Sequence, residues 1–364
     1  GDNLLAALRA IRSGKAENDY LNRLLLRTGL DWQQIDVFRA YRNYYFQLGS
    51  PFTKKTVAFA LINHPRATLA LFRYFEARFR PLPEWNDPLE REEQVLTPAR
   101  MALIEALAAV ENVNEDRILR TLFNCIDSTV RTNFFRRLDA AEFFISFKIS
   151  AIGITEMPVP RPLFEVYVHS ATMEGIHLRG GLVARGGIRW SDRPDDFRTE
   201  VLGLMKTQMT KNAVIVPVGS KGGFIVKTPF SDRETGLALS KAAYQTLMRG
   251  LLDLTDNRLT GELVPPAEVV RYDGDDPYLV VAADKGTAHL PDTANAISAE
   301  YRFWLADGFA SGGSQGYDHK ALGITARGAW VCVQRHFREL GIDVQNEPIS
   351  VVGIGDMSGD VFGN

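Results

Sequence analysis

Over roughly the first 155 positions, apolar residues recur at helical spacing. Leu4, Leu5, Leu8 and Ile11 form one stripe, and Leu21, Leu24 and Leu25 form the next. Ser50-Pro51 and His64-Pro65 mark breaks, and the stretch from Pro81 to Pro88 reads as a connector. The periodicity predicts a helix from Thr97 to about Val110. It predicts another from Asn114 to about Phe135, with Asn114 as cap and Glu115 and Asp116 in the first turn. The basic, aromatic segment Arg131 to Arg137 then reads as a solvated helix end. Met157-Pro158-Val159-Pro160-Arg161-Pro162 predicts an extended linker, because proline removes a backbone donor and disfavours helix in the residue before it.

Beyond this linker the period changes. Phe164, Val166 and Val168 alternate with Glu165, Tyr167 and His169, the pattern of a half-buried strand. Pro194 suits a first helical position, followed by Asp195 and Asp196 at the positive helix start. Phe197, Val201, Leu204 and Met205 then share one stripe. Ala213 to Val218 and Phe224 to Val226 read as short strands, and Thr235 to Leu254 as a helix. Leu279 to Ala282 is a continuous apolar run, which suits a buried strand. Ala310 to Gly316 is a glycine loop. Thr325 opens a helix with Ala329, Trp330, Val333 and Phe337 on one face, and Gly341 stops it.

Ile349 to Val352 is an apolar strand that runs into Gly353-Ile354-Gly355-Asp356-Met357-Ser358-Gly359. A strand, a glycine turn and a helix start form the pyrophosphate-binding opening of a dinucleotide fold. The spacing here is GxGxxS rather than GxGxxG, so an ordinary strand-to-helix turn is the rival reading. A βαβ unit takes about 30 residues or more, so the pattern predicts a longer protein that continues past Asn364. Strands alternating with helices predict the α/β class. The expected division is a mostly helical region over 1–157, an α/β domain over 158–345, and the first strand and turn of a Rossmann domain over 346–364.

Composition narrows the function classes. The 364 residues are 45% apolar and 24% charged, with a net charge of −2, which is ordinary for a globular protein. Such a balance gives no electrostatic case for nucleic acid or an anionic membrane. No apolar run approaches the length of a membrane span, and no signal peptide opens the chain. Cys125 and Cys332 are far apart, so a reducing cytoplasm is the simplest context. The histidines are scattered without ligand spacing, and no metal site is read.

Chemistry concentrates between Gly180 and Phe224. Two glycine-flanked cations end this block: Ala184-Arg185-Gly186-Gly187 and Gly219-Ser220-Lys221-Gly222-Gly223. Glycines let a ligand approach the backbone. Arg185, Lys211 and Lys221 could therefore converge on one anion, and Gln208 shares a helix face with Lys211. A lysine desolvated among glycines has a lowered pKa and suits proton transfer. Asp284 follows the apolar run at 279–282, where α/β sites commonly sit; a turn or cap aspartate is the other reading.

The segments VARGGIRWSDR, DFRTEVLGLM and KNAVIVPVGSKGGF resemble the substrate segment of glutamate dehydrogenases, in particular the large-subunit, NAD-specific bacterial class. The resemblance runs from about Pro162 to the last residue and implies a substrate domain of the amino-acid dehydrogenase type. It implies reversible oxidative deamination of L-glutamate to 2-oxoglutarate and ammonia with NAD, in a cytoplasmic homo-oligomer. In that reading Lys221 is the catalytic lysine and Asp284 exchanges protons with the substrate nitrogen. Lys211 and Gln208 hold the α-carboxylate, and Arg185 takes the side-chain carboxylate. Thr325 contacts the nicotinamide amide, and Gly353, Gly355 and Ser358 lie at the pyrophosphate. Many smaller glutamate dehydrogenases carry lysine at the position of Arg185, so charge is kept while geometry changes. Leucine- and phenylalanine-specific relatives carry an apolar residue there. A catalytically silent binding or assembly module, and an amino-acid sensor, are the rivals from other classes. A sensor has no need of both Lys221 and Asp284.

Overall fold

The computed structural model describes residues 2–211, 218–317 and 319–354, with the side chains of residues 211, 319 and 320 outside the description. The predicted strand at 213–218 therefore falls almost wholly outside the described residues. Nine strands are described: β1 (Thr129–Thr132), β2 (Ile145–Ser150), β3 (Phe164–His169), β4 (Met173–Arg179), β5 (Ala184–Trp190), β6 (Ser220–Val226), β7 (Asn257–Leu259), β8 (Glu262–Val264) and β9 (Leu279–Ala283). Seven of them form one sheet in the order β1-β2-β3-β4-β6-β5-β9, and β7 and β8 form a separate hairpin. Pairs from β1 through β4 and on to β6 are antiparallel, whereas β5 runs parallel to both β6 and β9. The architecture is α/β, with the crossover connections confined to the β6-β5-β9 end.

Helices cover both faces of the sheet. On one face lie α2 (Trp32–Gln47), α3 (Lys54–Asn63), α4 (Pro65–Phe79) and α6 (Val113–Ser128), with α1 (Asp2–Arg12) and α5 (Thr97–Ala108) around them. Helix α7 (Phe197–Lys211) joins that layer through Phe197, Val201 and Met205. On the other face α8 (Arg233–Leu252) and α9 (Pro291–Glu300) pack on Val166, Phe224 and Val281. Double coverage explains why β3 is buried along almost its whole length instead of on one face. Two of its polar residues have polar neighbours at hand. Tyr167 donates to Glu174 at 2.8 Å, and His169 lies 3.5 Å from Asp36.

The linker read at 157–162 lies between β2 and β3 of this sheet. The expected boundary at 157/158 thus falls inside one sheet and one core, because the helical region supplies β1 and β2. Helix α6 is capped by Asn112, which accepts from the amides of Asn114 and Glu115, and ends at Ser128. The predicted continuation to Phe135 is replaced by β1, since Thr129 to Thr132 pairs with β2. Arg131 is consequently buried, not solvated; its guanidinium bonds Asp256 at 2.8 Å and Asp273 at 2.6 Å. Residues 349–352 form no strand, and Val351 and Val352 are exposed. A strand needs a neighbour to take its backbone hydrogen bonds, and none of the described residues provides one there. Helix α10 (Ile324–Glu339) forms as expected, although Trp330 and Val331 on it are exposed. No described helix is long and apolar enough to cross a membrane.

The start of α7 is set from outside. Residues 194–196 form a turn, so Pro194 is not its first helical residue. Instead, Gln47 at the end of α2 accepts from the Arg198 amide at 3.2 Å and donates to the Pro194 carbonyl at 2.9 Å. This satisfies an amide that a helix start otherwise leaves without a partner. The Arg198 side chain is buried and donates to Glu165 of β3 through Nε at 3.0 Å, and the Tyr44 hydroxyl donates to the same carboxylate at 2.9 Å. Removing one partner of such a pair strands the other charge. Arg198→Met is expected to lower stability by roughly 3–5 kcal/mol, read as a fall in the urea midpoint. Glu165→Gln in the same chain should restore part of the loss. A single variant that unfolds at the wild-type midpoint would contradict this.

Candidate functional site

The glycine block builds its site through strand register. Parallel pairing sets Ile188 of β5 beside Gly222 of β6, and Gly187 beside Ala282 of β9. Side chains alternate along a strand. Arg185, Gly187, Arg189 and Lys221 therefore belong to the face that carries α7. Lys221 is the second residue of β6, within the strand and not in the glycine turn that precedes it. Asp284 follows the last residue of β9. Lys221 Nζ and Asp284 Oδ2 lie 3.5 Å apart. They meet over Gly187: a Cβ built there would stand 3.1 Å from Asp284 Cβ and 3.2 Å from Lys221 Nζ. Gly186 has a different task. A Cβ on it would lie 1.6 Å from the Ser220 carbonyl oxygen, so only glycine lets the two chains run this close.

Asp284 is held by its own turn. Its amide donates to Thr287 Oγ1 at 3.1 Å, and the Lys285 amide donates to Asp284 Oδ1 at 2.8 Å. Thr287 Oγ1 also donates to the Ile188 carbonyl at 2.7 Å, tying the turn to β5. Gly286 has a left-handed φ of +81°, which glycine adopts without strain. Burial alone would raise the Asp284 pKa. The Lys221 charge, the Lys285 amide and Arg189 outweigh it and hold the carboxyl below the usual range.

Three neighbouring residues complete the cluster. Arg189 donates to Asp284 Oδ1 at 3.3 Å and to Glu200 Oε1 of α7 at 2.8 Å. Glu200 Oε2 accepts from Ser191 Oγ at 2.5 Å. Burial would raise the Glu200 pKa, but the Ser191 hydroxyl and Arg189 lower it overall. Arg189, four residues beyond Arg185 on the same strand, is thus already matched by two carboxylates. Glu200 and Ser191 were not singled out from the sequence. The available signal was a lone carboxylate next to the apolar stripe of α7, where burial demands a cation.

The remaining residues divide. Arg185 is exposed on β5 and forms no ion pair among the described residues. Asp192, two residues beyond the end of β5, lies 3.7 Å from Lys285. Gln208 packs on Gly219, two residues before Lys221; a Gly219 Cβ would meet Gln208 Cγ at 2.7 Å and the Arg185 carbonyl oxygen at 3.8 Å. The Lys211 side chain, Gly355 and Ser358 lie outside the described residues. Thr325 is exposed near the start of α10, and Gly353 is exposed in an unpaired segment. The described residues therefore build no cradle for a dinucleotide, and they do build a cationic and carboxylate cluster suited to proton transfer. Burial pushes the Cys125 thiol up to about 12, so it is no nucleophile at neutral pH.

Comparison with known proteins finds relatives along most of the chain. Residues 102–364 match the family described as bacterial NAD-glutamate dehydrogenase, catalytic domain, and residues 16–81 match glutamate dehydrogenase, helical motif 3. An NAD-specific glutamate dehydrogenase of Pseudomonas aeruginosa is 54% identical over 97% of this chain. Proteins of the same name are 52% identical over 98% of it in Mycobacterium tuberculosis and 49% identical over 99% of it in Halomonas elongata. The chain spans 22% of the length of each of these relatives.

The space above Gly187 can be tested directly. In Gly187→Ala the fold is expected to persist, because Lys221 can swing aside, but its ammonium should move away from Asp284 in the structure of the variant. In Gly186→Ala the clash is with backbone, so β5 and β6 cannot keep their spacing and the folded yield should collapse. A Gly187→Ala structure that keeps the Lys221–Asp284 contact would remove the steric role.

Proposed function

The chain belongs to the bacterial NAD-specific glutamate dehydrogenase family, and on that premise we propose that it carries the substrate-handling residues for reversible oxidative deamination of L-glutamate to 2-oxoglutarate and ammonia. The observation that carries this reading is the meeting of Lys221 and Asp284 over Gly187. An amino-acid oxidation needs a cation at the carbon that becomes a carbonyl and an acid/base group at the departing nitrogen. Lys221 is the cation: its ammonium orients the attacking water and hydrogen-bonds the oxygen that this water delivers as it becomes the carbonyl. Asp284, ionised by its neighbours, takes a proton from the substrate nitrogen and returns one to it in the reverse direction.

Two carboxylates then need partners. Arg185 is assigned to the side-chain carboxylate, because it is an exposed cation on the strand that carries Gly187, while Arg189 is occupied by Asp284 and Glu200. Gln208 and Lys211 are assigned to the α-carboxylate; the packing of Gln208 beside Gly219 supports this. NAD, when bound, accepts the hydride. Thr325, Gly353, Gly355 and Ser358 are assigned to it by motif, and no step is derived through it. A cytoplasmic homo-oligomer goes with this reading; the free cysteines Cys125 and Cys332 suit a reducing compartment.

In the full-length enzyme Lys221→Ala should lower kcat by roughly 10²–10⁴-fold with an unchanged thermal midpoint. Turnover near wild type would end the assignment. Arg185→Leu should raise KM for glutamate and 2-oxoglutarate by about tenfold or more, the value of a lost charge-assisted hydrogen bond. Norvaline, which lacks the side-chain carboxylate, should be affected much less. Equal damage to both substrates would make Arg185 a structural residue.

A further inference from the structure

We propose that Glu200 is a positioning residue for this reaction: through Arg189 it fixes which oxygen of Asp284 is left to exchange protons. The inference rests on the reading of Asp284 given above. The two carboxylate oxygens of Asp284 have different surroundings. Oδ1 accepts from Arg189 at 3.3 Å and from the Lys285 amide at 2.8 Å. Oδ2 faces Lys221 at 3.5 Å and has no hydrogen bond from a described residue. Oδ2 is therefore the oxygen available to a substrate nitrogen.

This division depends on where Arg189 is held. Its Nε is buried without a partner, so its two terminal nitrogens, one on Glu200 and one on Asp284, fix the guanidinium. Glu200 is itself fixed from the far side by Ser191, whose hydroxyl donates at 2.5 Å. A guanidinium freed from Glu200 can turn its full fork onto Asp284, because bidentate pairing is the preferred geometry of arginine with carboxylate. It would then cover Oδ2 and place a whole positive charge on a group that now shares it. Asp284 would remain ionised to lower pH and would be a poorer proton acceptor.

Among the described residues, the charged groups facing Asp284 are few. Lys221 comes from β6, Arg189 from β5, and Glu200 acts from α7 through Arg189. Lys285, in the same turn, directs its ammonium to Asp192 at 3.7 Å. With these neighbours the two arms of the test have opposite signs. Removing the Glu200 charge leaves Arg189 to Asp284 alone and lowers the Asp284 pKa. Removing the Arg189 charge takes a cation from Asp284 and raises it.

The experiment is the pH profile of kcat/KM for glutamate in the full-length enzyme, whose acid limb reports the base in the free enzyme. In Glu200→Gln the acid limb should move down by about half a pH unit and kcat should fall roughly tenfold, with KM within about twofold. In Arg189→Leu the limb should move up by about one unit, and Arg189→Lys should recover part of that shift. Loss of packing alone would lower activity without moving the limb in opposite directions. An unmoved limb in Glu200→Gln, or two shifts of the same sign, overturns the proposal. If Glu200→Gln does not fold, Arg189→Leu decides alone, and an unmoved limb there also overturns it. Asp284→Asn separates the two levels. Near-normal turnover in that variant ends both the Asp284 reading and this proposal. Loss of turnover there, with an unmoved limb in Glu200→Gln, ends this proposal only.

Discussion

The buried pair of Arg198 and Glu165 holds the layer on which the site depends. The sheet is covered on both faces, so a buried charge on it is tolerated only where its partner is built in. Glu165 lies on β3 and receives Arg198 from α7 and the Tyr44 hydroxyl from α2. One carboxylate therefore links the helical region, the sheet and the crossover helix. Glu200 lies only two residues beyond Arg198, and at 3.6 residues per turn it points to the other flank of the helix. The helix lies over β4 and β6, which separate β3 from β5 in the sheet. Arg198 reaches to β3 on one side and Glu200 reaches Arg189 of β5 on the other. The pair that anchors the helix thus also sets the depth and rotation at which it presents Glu200 and Gln208.

The glycines on β5 and β6 work against the sheet locally. Each costs about 0.5–1 kcal/mol relative to alanine in a strand. Gly186 and Gly187 are adjacent yet serve opposite faces. Gly186 lets the β5 backbone approach the Ser220 carbonyl, while Gly187 opens the space into which Lys221 and Asp284 reach from the flanking strands. Apolar burial on both sides offsets that cost. Phe224 and Ile188 pack toward α8, and Ile225 packs toward the helical layer with Val201. A site of three strands can hold its geometry only when those strands are fixed from both faces.

Much of this was legible in the sequence. The run at Leu279 to Ala282 became β9, which extends one residue further to Ala283 and brings Asp284 within 3.5 Å of Lys221. The ordered glycine blocks coincide with the place where Lys221 and Asp284 meet, because a missing side chain leaves the same mark in sequence as in space. What could not be read was pairing. Thr129 to Thr132 continues a helical pattern and becomes a strand only because β2 offers it hydrogen bonds. The prolines at 158–162 looked like a boundary, since local chain stiffness does not reveal that strands before and after them share a sheet. Val166 and its neighbours alternate like a half-buried strand, but the second face is covered by helices whose position depends on contacts distant in sequence. Ile349 to Val352 has the composition of a strand and, among the described residues, no neighbour to pair with.

The two arginines of β5 show why charge alone could not assign roles. Arg185 and Arg189 are four apart on one strand and therefore share a face. By residue type they are equivalent candidates for an anionic ligand. The difference lies in what surrounds each. Arg189 is the last residue but one of β5, beside Glu200 and Asp284, and its charge is matched inside the protein. Arg185 stands at the opposite end of the strand, exposed, with no carboxylate of the described residues beside it. A matched cation gains little from a further anion, because it would have to release a partner already desolvated. An unmatched one at the rim loses only water. The same residue type is thus matched by two carboxylates at one position and, among the described residues, left unmatched at the other, and the carboxylates of α7 and the Asp284 turn make that distinction.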